Sequence, residues 1–575
     1  MRQFRVALAQ VNCTVGGLDG NVAAIVSQIE AAEAAGADLV AFPELAITGY
    51  PPEDLALRRR FVRDNLAALE RVQAETAGRH VTAVVGFIDL GVDTYNAAAV
   101  LHDGQRKGVY YKQLLPTYGV FDESRCFRAG TESPVFDVAG TRVGVSVCED
   151  IWYSSGPVRE QALAGAEVIV NINGSPFHAG KRSEREKMLS TRASDNAVFI
   201  CYLNLVGGQD SLVFDGGSMI HNAEGALIAG APLFEEALLV MDLDPDEALQ
   251  VRTPLVGAHP VMTALAAARA LPVSGPVGAR EPLPAPVVPE RPSEEAEVYG
   301  ALVLGTRDYV RKTGFEQVVV ALSGGIDSTL TAAVAVEALG AENVVGVSMP
   351  SRYSSEGSVR DAVELAENLG MRLLSIPIEG PFQAMLDALR ESFEGTEPDV
   401  TEENLQARVR GTLVMALSNK FGWLLLSTSN KSETATGYTT LYGDMTGGLA
   451  VLQDVPKLLV QRLSRYVNKA AGREVIPQSV LEKPPSAELR PGQLDEEGLL
   501  PYARLDPIIE AFVEEDRSLA EIVAAGYTEE EVRRVMSLVT SAEYKRRQAA
   551  PGIKITPRAF GKERRFPIVN RYRGF

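Results

Sequence analysis

The sequence predicts two α/β domains in one chain, the second of them built on a doubly wound parallel sheet. Three observations carry this. Short β-branched apolar runs alternate with helical patterns through both halves, over 575 residues of which 46% are hydrophobic, enough for more than one core. The stretch Val318–Leu330, VVVALSGGIDSTL, reads as a buried parallel strand, a glycine turn and a helix start. Between the halves, seven prolines at 272, 276, 282, 284, 286, 289 and 292 mark a semi-rigid extended connector. The expected organisation is a domain over 1–265, a linker over 266–292 and a domain over 293–575.

Charge and cysteine usage narrow the function classes. A formal net charge of −19 argues against a general nucleic-acid coat, although residues 545–575 hold ten Lys/Arg against the single acid Glu563. Such a tail either contacts solvent or a neighbouring domain, or helps to hold a polyanionic small molecule. Four cysteines (Cys13, Cys126, Cys148, Cys201) without a CxxC pair suggest neither a disulfide frame nor a zinc site. The opening MRQFRVALAQ has too short an apolar run for a signal peptide, and no 18-residue apolar span occurs, so a soluble cytoplasmic protein without membrane or nucleic-acid partners is expected.

In the first half, strand-like runs cover Phe4–Gln10, Leu39–Phe42, Val81–Phe87, Ala97–Leu101, Val143–Val147, Val168–Ile172 and Val198–Leu203, with helical patterns over Asn21–Ala35 and Arg58–Thr76. Three chemically capable residues stand at or just past strand ends: Glu44 in FPELAITGY, Lys112 in YYKQLLPTYGVFDE and Cys148 in VGVSVCEDIW. A carboxylate can take the thiol proton, and a cation favours the thiolate and the oxyanion formed when sulfur attacks an amide. Taken singly, each has a plainer reading, since free cysteines are often just buried. Together, these words resemble the nitrilase superfamily, an α-β-β-α sandwich that hydrolyses carbon–nitrogen bonds. The resemblance implies Glu44 as general base, Lys112 as oxyanion and orienting group, and Cys148 as nucleophile. From glutamine-using members it further implies glutamine contacts at Tyr118, Glu149, Ser175 and Lys181.

Pro292-Ser293-Glu294-Glu295 reads as a helix start capped by Ser293, running to about Lys312. Beyond it lie strand-like Val344–Met349, a helix near Ser358–Leu369, strand-like Arg372–Ile378, a helix over Glu403–Phe421 and strand-like Trp423–Thr428. Ligands of such a sheet sit past the carboxyl ends of its strands. A glycine turn opening a helix binds phosphate, and SGGIDS has neither the Gly-Lys-Ser/Thr of a Walker A loop nor GxGxxG.

SGGIDS instead resembles the pyrophosphate loop of N-type ATP pyrophosphatases, which share the adenine-nucleotide α-hydrolase fold. LQARVRG (405–411), LSTSNKSETATGYTTLYGDMTGGLAVLQDVPK (426–457) and KPPSAELRPGQLDEEGLLPYARLD (483–506) resemble the NAD synthetase family more specifically. That likeness implies ATP contacts at Ser323, Gly324, Gly325, Ile326, Asp327, Ser328, Arg352, Thr428 and Lys457, with Mg²⁺ on Asp327 and Glu433. It implies a deamido-NAD site at Asn404, Arg408, Glu433, Tyr438, Thr439, Thr440, Leu441, Asp444 and Lys545, covered by a lid at Pro484–Asp495.

The two resemblances together imply that ammonia from glutamine converts deamido-NAD to NAD, through an adenylate and with release of AMP and pyrophosphate. They also imply a guarded path for ammonia and a homo-oligomer, a dimer through the synthetase domains or an octamer. GMP synthetase shares an SGG-x-DS loop but has a different glutaminase, and asparagine synthetase needs an N-terminal cysteine where this chain has Arg2. An amidase regulated by a nucleotide-sensing second half is the remaining alternative, and it would show no ATP turnover.

Overall fold

The computed structural model describes residues 2–256, 270–278, 280–284, 286–486, 488–490, 493 and 498–572. The chain divides into two compact units, one of residues 1–209 with 213–291 and the other of 210–212 with 292–575. The expected boundary at 265 falls outside the described residues.

The first unit runs β1 (Phe4–Gln10), α1 (Leu18–Ala34), β2 (Leu39–Ala41), α2 (Arg59–Glu75), β3 (Thr82–Leu90), β4 (Thr94–His102), β5 (Gln105–Tyr111), β6 (Val135–Val138), β7 (Thr141–Val147), α3 (Pro157–Leu163), β8 (Val168–Asn173), α4 (Lys181–Asn196) and β9 (Phe199–Asn204). It continues through β10 (Val206–Gln209), β11 (Leu212–Asp215), β12 (Met219–His221), β13 (Leu227–Gly230), β14 (Ala237–Leu243), α5 (Pro245–Val256) and β15 (Leu271–Pro272). Two large sheets form, ordered β14-β1-β2-β3-β4-β5 and β13-β12-β9-β8-β7-β6-β15, and β10 pairs with β11 separately. Their alternation explains the layering. Val168, Val170 and Ile172 of β8 join Val6, Leu8, Val84 and Val100 in the core between the sheets, whereas Ile169 points the other way, onto Val158 of α3 and Leu189 of α4. The result is an α-β-β-α sandwich.

The proline-rich segment is extended, yet it does not hang free. Leu271–Pro272 pairs in parallel with Phe136–Asp137, the Leu283 amide donates to Asp242 at 2.8 Å, and Arg280 is ion-paired with Asp38. Proline leaves carbonyls and neighbouring amides available at a sheet edge, which is where this segment is used.

The second unit contains α6 (Glu294–Lys312), β16 (Val318–Ala321), α7 (Ile326–Leu339), β17 (Val344–Ser348), α8 (Glu356–Leu369), β18 (Arg372–Ser375), α9 (Glu379–Leu389), α10 (Val400–Phe421), β19 (Leu424–Ser427), α11 (Lys431–Thr436), β20 (Leu449–Ala450), α12 (Lys457–Ala471) and α13 (Gln478–Glu482). A helical cap follows: α14 (Tyr502–Ile509), α15 (Leu519–Ala524), α16 (Glu529–Ser541) and α17 (Glu543–Arg546). The sheet is all parallel, ordered β18-β17-β16-β19-β20. Val409 and Val414 of α10 cover one face through Val319, Val345 and Leu425. Strand order reverses between β16 and β19, so the glycine turn after β16 stands at the switch point, where such sheets bind ligands. Helix α10 starts earlier than the apolar pattern suggests, because Asp399 and Glu402 form a capping box. Strand β18 stops earlier because Pro377 cannot continue the ladder.

Candidate active sites

In the first unit, Glu44 follows the end of β2 on a turn that passes over β3. The turn crosses at Gly86, where a Cβ would lie 2.3 Å from the Pro43 carbonyl oxygen, so only glycine permits it. Lys112 follows β5 and Cys148 follows β7. Glu44 and Lys112 are wholly buried, and Cys148 is 2% exposed. The Lys112 ammonium donates to Glu44 Oε1 and to Glu123 Oε1, each at 2.8 Å. Asn96 Nδ2 donates to Glu44 Oε1 at 2.7 Å and the Gly174 amide to Oε2 at 2.8 Å, fixing the carboxylate on both edges. Tyr50 OH donates to Glu123 Oε1 at 2.8 Å.

Cys148 has φ of +45° and opens a short 3₁₀ turn, a strained junction that turns the thiol out of the sheet. Asp150 holds the junction in place. Its Oδ2 accepts from the Val147 amide at 3.1 Å and Tyr110 OH at 2.7 Å, and its Oδ1 from the Gln113 and Leu114 amides at 3.2 and 2.8 Å. One carboxylate thus ties the cysteine turn to the segment carrying Lys112. Burial pushes the Cys148 thiol well up; Glu44 adds to this and Lys112 opposes it, so the resting group is a neutral thiol beside a base. Burial alone would lower Lys112, but Glu123 and Glu44 outweigh it and hold the ammonium charged. Burial raises Glu123 to about 7 against the pull of Lys112.

Around this core, Tyr118 OH donates to Glu149 Oε1 at 2.8 Å. Lys181, at the start of α4, lies 4.4 Å over the Trp152 ring and 3.1 Å from Glu184 Oε2. The Ser175 carbonyl and hydroxyl accept from buried Arg185 Nη2 at 3.0 and 3.2 Å, and Arg185 Nη1 meets both oxygens of Asp215 at 2.7 Å.

In the second unit, a cleft of about 270 Å³ is lined by Ser323–Ser328, Thr428, Glu433, Tyr438, Asp444 and Lys457 among others. Gly324 has φ of +75°, and a Cβ there would lie 2.3 Å from the Ser358 carbonyl oxygen, so the loop sits against the start of α8 as only glycine can. Ser323 Oγ accepts from the Gly325 amide at 3.2 Å and is 3.2 Å from Ser328 Oγ. Asp327 Oδ1 accepts from Asn430 Nδ2 at 2.9 Å, and Asn430 also caps α11, its Oδ1 accepting from the Glu433 amide at 3.0 Å. Lys457 is ion-paired with Asp327 and lies 3.6 Å from Glu433 Oε1, so both carboxylates converge on one ammonium. Among the described residues no group of three or more His, Cys, Asp or Glu is placed to cage a metal. Two acids beside a phosphate loop suit a hard cation that takes its other ligands from phosphate and water.

The residues expected at the dinucleotide site are neighbours. Thr440 Oγ1 donates to Asn404 Oδ1 at 2.7 Å, the Thr440 amide to Asp444 Oδ1 at 2.8 Å, and Arg408 Nε to the Leu441 carbonyl at 3.2 Å. Lys545 Nζ donates to the Gly437 and Thr439 carbonyls at 2.8 and 2.7 Å. Burial raises Asp444 to about 6. Arg352 does not line the cleft: its half-exposed side chain pairs with Glu379 and donates to Gln383 at 3.1 Å. Of the expected lid, Pro484, Pro485, Ser486, Glu488 and Leu489 line the cleft, whereas residues 487, 491, 492, 494 and 495 lie outside the described set.

Residues 5–253 match the carbon-nitrogen hydrolase family model and residues 298–549 the NAD synthase model. The glutamine-dependent NAD(+) synthetase of Thermotoga maritima is 49% identical over 581 residues, covering all of both chains, and that of Aquifex aeolicus is 46% identical over 99% of this chain and all of its own. This chain belongs to the glutamine-dependent NAD(+) synthetase family. A solved structure of the family member from Acinetobacter baumannii, in complex with adenosine diphosphate, is similar at 40% identity and TM-score 0.74, covering 99% of each chain. A synthetase structure from Cytophaga hutchinsonii shares the fold, with TM-score 0.81 at 22% identity over 99% of this chain and 98% of its own.

Three further residues belong to the site by their contacts and are not among those expected from the sequence: Glu123, Asp150 and Arg185. Glu123 had one signal, an acid shortly after Lys112 in GVFDES. Arg185 had another, a second cation one helical turn past Lys181. The basic tail is divided: Arg546, Lys554 and Arg564 are buried, with Arg564 3.9 Å over the Phe566 ring, whereas Arg547, Lys562, Arg565 and Arg571 are exposed. No helix among the described residues is long and apolar enough to cross a membrane.

Proposed function

We propose that this chain converts deamido-NAD to NAD, using ATP and the side-chain amide nitrogen of glutamine. The observation that carries this reading is the presence on one chain of two separate constellations. One is the buried Cys148–Glu44–Lys112 cluster, and the other is the glycine loop facing Asp327, Lys457 and Glu433.

At the first site, Glu44 takes the Cys148 proton as sulfur attacks the amide carbon. A neutral thiol is a weak nucleophile, so the base must act in step with the attack. An ammonium has three donors, and Lys112 gives two to Glu44 and Glu123, which leaves one for the oxyanion. Ammonia leaves with the proton, and a water deprotonated by Glu44 cleaves the thioester to glutamate. Glutamine itself is held by Tyr118, Glu149, Ser175 and Lys181.

At the second site, Ser323–Ser328 and Thr428 cradle ATP, with Arg352 moving from Glu379 onto the nucleotide. Mg²⁺, when bound by Asp327 and Glu433, neutralises the ATP phosphates. Lys457 balances charge on the transferring phosphoryl group. Deamido-NAD lies along Asn404, Arg408, Tyr438–Leu441, Asp444 and Lys545. Its carboxylate attacks the α-phosphorus, pyrophosphate departs, and ammonia then displaces AMP from the acyl adenylate. Free ammonia in neutral water is mostly ammonium and not nucleophilic, so it passes between the sites without equilibrating with solvent. The enzyme works in the cytoplasm as a homo-oligomer joined through its synthetase domains.

The test compares wild type with Cys148→Ala, measuring NAD formation from deamido-NAD and ATP with glutamine or ammonium chloride. Loss of only the glutamine-driven rate supports the reading. No NAD from either donor in the wild type would sink it.

A further inference from the structure

Helix α10 presents two rows of polar side chains, each spaced i, i+4 and so each on one face. Asn404 and Arg408 meet the 440–441 turn. Gln406 and Arg410 face a different neighbourhood. Gln406 Nε2 donates to the Leu489 carbonyl at 2.9 Å, and Arg410 Nε donates to the Met349 carbonyl, just past β17, at 3.2 Å.

Arg410 lines the cleft beside the phosphate loop and is half-buried, and burial lowers it to about 10. A cation drawn partly out of water into a cleft favours a partner anion there. Among the described residues no carboxylate forms an ion pair with it, and the acid whose field reaches it is Glu488. Glu488 is engaged elsewhere. Its carboxylate accepts from Ser355 Oγ at 2.9 Å, Ser358 Oγ at 2.7 Å and the Ser355 amide at 3.3 Å.

We infer that Arg410 is a binding residue for the phosphate chain of ATP, and that Glu488, which lines the same cleft, opposes that contact through its charge. This rests on the function proposed above and assigns α10 to both substrates, with 404 and 408 on the dinucleotide and 410 on the nucleotide. A planar guanidinium fits phosphate oxygens as a fork, which lysine cannot reproduce. Because ATP meets Arg410 already screened by Glu488, the two side chains act on ATP with opposite sign.

Calorimetric titration of the full chain with Mg·ATP, adenosine and deamido-NAD tests this in wild type, Arg410→Gln, Arg410→Lys, Glu488→Gln and the Arg410→Gln/Glu488→Gln double variant. The expected result is roughly 10- to 100-fold weaker ATP binding in Arg410→Gln, a smaller loss in Arg410→Lys, and unchanged adenosine binding, which also shows that the site is folded. Glu488→Gln should bind ATP more tightly, and should lose that gain once Arg410 is absent. Equal ATP affinity in wild type and Arg410→Gln overturns the inference. So does a loss shared equally by adenosine, or one confined to deamido-NAD. If the wild type bound no ATP, the proposed function itself would fall instead.

Discussion

The Lys112 ammonium donates to Glu44 at 2.8 Å with both side chains wholly excluded from water. Ions buried so completely persist only when each is paired and hydrogen-bonded. Lys112→Met would leave Glu44 and Glu123 buried together without a cation. We expect it to destabilise the first unit by about 3–5 kcal/mol and to abolish glutamine hydrolysis. Denaturant unfolding with a glutaminase assay checks both. A variant with wild-type unfolding behaviour would mean that water enters this cluster freely.

Glu123 gives the same cluster a pH dependence. Burial raises its carboxyl from 4.5 in the unfolded chain to about 7 in the folded one. The folded state therefore binds a proton that the unfolded state lacks between those values. This contribution is fully present below about 4.5 and is lost as pH rises through about 7. Glu123→Gln removes the titration, so the variant should lose less stability than wild type between pH 5 and pH 7. Parallel shifts in unfolding midpoint for the two proteins would show that another group dominates this window.

The start of α12 depends on a relay. The Lys457 amide donates to Ser432 Oγ at 2.9 Å, Ser432 Oγ donates to Asp506 Oδ1 at 2.5 Å, and the Leu458 amide donates to Asp506 Oδ2 at 2.9 Å. Asp506→Ala leaves two buried donors unmet, at a cost of about 1–3 kcal/mol each, and frees the backbone that aims Lys457. We expect ammonium-driven kcat to fall at least tenfold with little change in KM for ATP. A change in KM alone would place the relay's influence on binding rather than on the transferring group.

Part of this arrangement is legible in the amino-acid sequence. The strand, glycine turn and helix at 318–339 follow from local chemistry; Glu44 and Cys148 stand just past apolar strands, whereas Lys112 follows a polar one and is picked out by the words around it. The hairpin strand QRKGVYY at 105–111 was missed: one face is solvated and its residues are mostly polar, so apolar periodicity is absent. Asp150 was overlooked beside the more reactive Cys148 and Glu149, since its role lies in partners 36 to 40 residues away. Arg352 was read from its place after β17, yet its side chain reaches α9, because a strand end fixes where a backbone goes and not which rotamer a long side chain takes.

Gly324 offers a sharper test of the phosphate loop. Alanine there must adopt φ near +75° and place its Cβ 2.3 Å from the Ser358 carbonyl oxygen. Both problems fall on backbone, which cannot swing aside as a side chain would. Gly324→Ala should abolish NAD formation from either nitrogen donor by displacing the loop from α8, while glutamine hydrolysis persists. Near-normal ammonium-driven synthesis would show that the loop's position is not critical.

Metal dependence should divide the two reactions. Asp327 and Glu433 converge on Lys457, and the cysteine cluster contains no comparable pair facing a phosphate loop. A divalent cation held by these carboxylates would share them with Lys457 and free its ammonium for phosphate, so removing either acid would also misplace the lysine. EDTA should stop NAD formation while glutamine hydrolysis continues, with activity restored by Mg²⁺. Asp327→Asn keeps the Asn430 contact but loses a charge, so it should need more Mg²⁺ for half-maximal rate and have a lower ceiling. Titrating Mg²⁺ against ammonium-driven synthesis in both proteins measures this. An unchanged Mg²⁺ midpoint in Asp327→Asn would assign the metal to ATP alone, leaving Asp327 only to hold Lys457.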